Sequence, residues 1–113
     1  MQNSVRLIGN IGRDTEGRKT PNGKEVASTS IAITENYKDA QGNKVESTEW
    51  VNLDFWGNNA VNAVNLLKKG AGVILEGRLK TDSYEKNGVK TYSTKVVVES
   101  FIVTKYVTEK ATA

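Results

Sequence analysis

Between Thr48 and Asn58 the chain reads TEWVNLDFWGN, and apolar and polar positions alternate along it. A strand turns successive side chains to opposite faces, so Val51, Leu53 and Phe55 share one face and Trp50, Asn52, Asp54 and Trp56 the other. The apolar triplet is a core face. The polar face carries both tryptophans of the chain, where large rings cannot contribute to that core and lack a packing partner.

The same period of two recurs. Segments 4–12 (SVRLIGNIG) and 25–37 (EVASTSIAITENY) read as strands, separated by the turn TPNGK, in which Pro21 presets φ and Asn22-Gly23 accepts positive φ. KDAQGNK (38–44) has no apolar anchor and reads as an exposed, mobile hairpin tip before the third strand, 46–56. NNAVNAVNLLKKG then switches to a three-to-four spacing through Ala60, Val61, Val64 and Leu67, which predicts a helix. Strands 72–84 and 90–105 follow, joined at Asn87-Gly88. In the first of these, Val73, Leu75, Gly77 and Leu79 share one face, and Glu76, Arg78, Lys80, Asp82 and Tyr84 the other. Five strands with one helix between strands 3 and 4 is the order of the all-β OB-fold, a five-stranded Greek-key barrel.

Composition narrows the chemistry. At 113 residues the chain is expected to form one domain over 1–105, with 106–113 as a short C-terminal tail. With neither cysteine nor histidine it cannot form a disulfide or a thiolate or imidazole metal site, and no metal or cofactor is expected. Its apolar runs are only strand-sized, so neither a membrane span nor a secretory segment is expected, and a cytoplasmic location is. The net charge of +3 matters less than its distribution, with lysine and arginine spread along the chain near proposed turns and strand ends.

Rings on polar faces among cations suit a single-stranded nucleic acid, whose bases stack on the rings while its phosphates meet the charges. Tyr37, Trp50, Trp56 and Tyr84 are the candidate platforms, and Arg18, Lys38, Lys68, Lys69, Arg78 and Lys80 the candidate cations. Tyr92, Phe101, Phe55 and Tyr106 are assigned to core, interface or chain-end packing.

GNIGRDTEGRKTPNGKEVASTSIA, TEW, KKGAGVILEGRLKT and YSTKVVVE, in that order, closely resemble the bacterial single-stranded DNA-binding protein family from about Asn3 to Val103. The resemblance implies an OB-fold that assembles as a homotetramer, a dimer of dimers, and binds and protects single-stranded DNA in replication, recombination and repair. It implies stacking roles for Tyr37, Trp50, Trp56 and Tyr84, two of them with tryptophan and tyrosine exchanged, and phosphate contacts for Arg18, Lys68, Lys69 and Lys80. The chain departs from the family where Val51 and Asn52 follow TEW in place of a basic stretch, and where Asn58 follows Gly57 in place of lysine. Asp54 and Asp82 add negative charge to the proposed face, so weaker and less salt-sensitive binding is expected. The family's acidic tail tip does not follow TEKATA, whether cut away or naturally lacking, and recruitment of replication proteins through it is doubtful.

Three other readings compete. A nuclease on the same barrel would use Glu46, Glu49 and Asp54, but has no histidine or cysteine to serve as base or nucleophile, and no enzymatic activity is expected. A protein-interaction module would have lost the exposed rings, and here they remain. An RNA-binding domain stays open, because stacking does not by itself exclude a 2′-hydroxyl.

Overall fold

A computed structural model describes residues 2–107. The elements are β1 (Val5–Ile11), β2 (Glu16–Lys19), β3 (Glu25–Lys38), β4 (Lys44–Trp56), α1 (Asn58–Leu66), β5 (Gly72–Lys86) and β6 (Val89–Lys105). Five of the strands close a ring in the order β1-β5-β6-β4-β3, with β3 returning to β1 through Asn10–Ala32 and Ile11–Ile31. This is the OB-fold barrel. Neighbours are antiparallel except β4 and β6, which run parallel and pair only at Leu53–Val96 and Asp54–Val97.

The helix falls after the fourth strand and not between strands 3 and 4, because the short β2 adds itself to the edge of β3. Its sequence, EGRK, has no apolar residue and lies wholly exposed, so no alternation marks it. The helix is also shorter than its periodicity predicts. Leu67 leaves helical geometry yet stays fully buried, and Lys68 and Lys69 lie in the following loop.

Ile11, Ile31, Leu53, Phe55, Leu67, Val73, Leu75, Val96 and Val98 fill the barrel, with Ala60 and Ala63 of α1 capping one end. Phe101 meets Phe55 edge to face, ring centres 5.5 Å apart, as expected of core residues. Tyr92 and Tyr106 are exposed and belong to no core. Leu79, expected on the core face, is half exposed, since β5 loses β1 as a partner beyond Gly77; past the β4–β6 seam at Val96 it continues with β6 as a two-stranded arm. A two-residue turn closes that arm with Asn87 and Gly88 both at positive φ, the geometry Asn-Gly favours.

A second arm is formed by β3 and β4, whose pairing runs unbroken from Val26–Trp56 to Lys38–Lys44. Its tip has a polar anchor that the absence of apolar residues concealed. The Asp39 carboxylate accepts the N–H groups of Gln41 and Asn43 at 2.9 and 2.8 Å. Of the expected tail, residues 108–113 lie outside the described residues.

Candidate nucleic-acid interface

Residues paired across neighbouring strands share a face, so register decides which candidate side chains meet. Arg18 pairs with Val26 and Val26 with Trp56, while Ser28 pairs with Asp54 and Ala32 with Trp50. Across the β4–β6 seam Asp54 pairs with Val97, and on β5 Lys80 pairs with Lys95. Trp50, Trp56, Arg18, Arg78, Lys80 and Tyr84 therefore stand on one continuous outer face of β2, β3, β4, β6 and β5. Trp50 is 63% exposed, Trp56 43% and Tyr84 51%. Large apolar rings left this open on a polar sheet are platforms for a ligand or a partner.

Trp50 has a defined seat. A Cβ added at Gly12 would overlap its six-membered ring and lie 3.0 Å from Ser30 Oγ. The missing side chain at position 12 thus lets the indole lie against the end of β1 while most of the residue stays exposed. Only the fold brings residue 12 to residue 50, and nothing in the local sequence signals the contact.

Lys68 and Lys69 reach the same neighbourhood by another route. Their loop is fixed to the end of β1 by Gly70 N–H to Ile11 O and Ile11 N–H to Ala71 O, both 2.8 Å, and the Lys69 N–H donates to Asp14 Oδ1 at 2.8 Å. The backbone of the pair is thus held beside residues 11–14, the segment that contains Gly12.

The β3–β4 arm splits the remaining candidates. Lys38 and Lys44 pair directly and continue the Trp50 face, with Thr34 and Thr48 hydroxyls bonded at 3.2 Å between them and the ring. Tyr37 pairs with Val45 and stands on the opposite face of the ribbon. It is 52% exposed because the ribbon has left the barrel there, but it does not join the row formed by Trp50 and Trp56.

At the centre of the face lies a group that sequence reasoning missed. Lys95 Nζ bonds Asp54 Oδ2 directly and lies 3.2 Å from Asp82 Oδ2. Ser28 Oγ donates to Asp54 Oδ1 at 3.3 Å and accepts from Arg18 Nη1 at 3.3 Å. Asp54, expected as exposed negative charge, is only 7% exposed and tied to a cation. The bond to Asp54 is the main influence raising the Lys95 ammonium above its usual 10.5, against desolvation, which acts in the opposite sense. Arg78 is also paired, to Glu99 at 3.2 Å, whereas Lys80 makes no ion pair among the described residues.

These facts dispose of the nuclease arrangement. Glu46 and Glu49 point to opposite faces of β4, and Asp54, on the face of Glu46, lies eight residues away, about 27 Å along a strand. Among the described residues no three carboxylates gather where a metal could be held. No helix there is long and apolar enough to cross a membrane.

Known proteins carry the same sheet and the same sequence pattern. Single-stranded DNA-binding protein 1 of Chlorobaculum tepidum is 43% identical over 97 residues, which cover 84% of this chain, and the chain spans 60% of that relative's length. A Plasmodium falciparum structure described as an SSB complex with ssDNA superposes with a TM-score of 0.81 at 24% identity, covering 91% of this chain and 95% of that one. A deletion mutant of the single-stranded DNA binding protein from Thermus aquaticus superposes with a TM-score of 0.80 at 26% identity, covering 94% and 54% respectively. The Single-strand binding protein family model matches residues 2–104, nearly the whole barrel and both arms. That family consists of non-catalytic, DNA-binding proteins, and this chain belongs to it.

Proposed function

We propose that the chain binds and protects single-stranded DNA without regard to sequence, serving replication, recombination and repair in the cytoplasm. The observation that carries this reading is the shared face of Trp50, Trp56 and Tyr84, three open rings with Arg18 and Lys80 among them. Each ring offers a π-surface to any base, and the strand's phosphates fall to the cations beside it. The Chlorobaculum relative is named as a single-stranded DNA-binding protein and the Plasmodium structure is described as a complex with ssDNA, which supports the same ligand.

Competition tests the ligand class. Unlabelled DNA and RNA single strands and a duplex, all of equal length, should displace a labelled oligo-dT in the order single-stranded DNA, RNA, duplex; displacement by duplex as readily as by single strand would defeat the reading. In the same assay Lys80→Ala should leave the protein folded and lower the log–log salt dependence by about 0.7 for each phosphate no longer neutralised.

Assembly as a homotetramer, a pair of dimers, belongs to the same proposal. Farther along the outer surface, near the start of β5, Ile8 pairs with Ile74 and Ile74 with Ile102, an apolar row across β1, β5 and β6. Ile8 is 60% exposed and Ile102 67%. β1 pairs with β5 from Val5 to Asn10, but with β3 only at Asn10 and Ile11, so its other edge is available to a second copy. Light scattering at micromolar concentration should give four chains per particle, and Ile102→Asp should reduce that number. A monomer mass for the parent chain would contradict the assembly.

A further inference from the structure

The group formed by Asp54, Lys95 and Asp82 sits amid the proposed binding face, with Trp56 next along β4, Tyr84 next along β5 and Lys80 directly across from Lys95. We propose that its two carboxylates are specificity determinants, lowering the face's affinity for phosphate so that bases are preferred and duplex is discriminated against. The proposal rests on the single-strand reading above.

Arg18, Lys80 and Lys95 alone would give this part of the sheet a charge of +3; Asp54 and Asp82, both within bonding reach of Lys95, leave +1. Lys95 is thereby engaged on two sides, and Arg18 leans on Ser28 toward the same carboxylate. A duplex presents phosphates and sugars outward and hides the π-faces of its bases, so its binding here depends on charge alone. A single strand stacked on Trp50, Trp56 and Tyr84 lays its bases against the sheet and holds its phosphates farther from the central carboxylates than a duplex, which meets the sheet with phosphates alone and at about twice the charge density. Removing negative charge from the centre must therefore favour the duplex more than the single strand. Asp54 is buried and holds the seam, but the Asp82 side chain is 47% exposed and is the member a ligand meets.

Asp82→Asn keeps the shape and removes one charge. Glu85→Gln removes the same charge from the same arm, but Glu85 pairs with Lys90 on the ribbon face opposite Tyr84. Binding of the full chain to labelled oligo-dT and to a duplex of equal length, at one fixed low salt concentration, separates the two. Asp82→Asn should raise duplex affinity about three- to tenfold, change oligo-dT affinity by less than about twofold, and leave thermal unfolding near the parent's. Glu85→Gln should alter neither. Equal gains for both ligands, no gain for duplex, or the same gain from Glu85→Gln would each overturn the proposal while leaving single-strand binding in place. If the parent chain failed to bind oligo-dT at all, the functional reading would fall and the proposal with it.

Discussion

Replacing Trp50 or Trp56 with alanine is expected to weaken single-stranded DNA binding by about 5- to 150-fold each, the effect of losing roughly 1–3 kcal/mol of stacking. Stability should barely change. Val51, Leu53 and Phe55 hold the core from the other face of β4, and Trp50 and Trp56 are both exposed and outside it. The two positions are six residues apart, about 20 Å along a strand, so they serve different bases and their losses should add in the double variant. Fluorescence anisotropy of a labelled oligo-dT, with thermal unfolding as the control, measures both quantities. Variants that bound like the parent with unchanged unfolding would assign the rings to a subunit interface instead.

The second large effect is on stability. Lys95→Met leaves the Asp54 carboxylate at the β4–β6 seam with Ser28 but without its cation, at a place where only two residue pairs join the strands. A charge stranded in this way should cost about 2–3 kcal/mol, less than for a fully buried pair because Lys95 is itself partly exposed. For a domain of this size that lowers the melting temperature by about 10–20 °C, read at fixed protein and salt concentration. Asp54→Leu combined with Lys95→Met should recover most of the loss, since the unpaired charge is then gone. A double variant as unstable as the single one would show that the lysine stem, not the ion pair, holds the seam.

The same pair sets an alkaline limit. Folding raises the Lys95 value above the usual 10.5, so the native state holds that proton more tightly than the unfolded chain. The contribution is complete below the unfolded value and is lost as pH rises through the higher folded one. Parent stability should therefore fall above about pH 10.5 by more than that of Lys95→Met, which has no such proton to lose.

What could be read from the chain, and what could not, follows from where the information lies. The β4 face was legible because alternation is local: seven consecutive residues place both tryptophans outward and Val51, Leu53 and Phe55 inward. β2 was not, because a four-residue edge strand exposed on every side has no pattern to show. Tyr37 could not be separated from the tryptophans because its face depends on cross-strand pairing, which runs without a slip from Trp56 to Lys44 and puts it opposite Trp50. Leu79 keeps the parity of a core residue after its strand has lost β1 as a neighbour. The Asp54–Lys95–Asp82 group spans three strands distant in sequence, so no spacing reveals it, and the two acids looked like free negative charge.

The central claim is that bases, and not merely phosphates, cover the open tryptophan rings. A strand with abasic sites throughout keeps the phosphates and removes every base, so it separates the two directly. Tryptophan emission, which in this chain comes only from Trp50 and Trp56, is followed as oligo-dT or an abasic strand of equal length is added at the same salt concentration. Marked quenching by oligo-dT, with little from the abasic strand even where it is bound, is the predicted result. Equal quenching by both strands, or none by oligo-dT once it is bound, would contradict stacking on these rings.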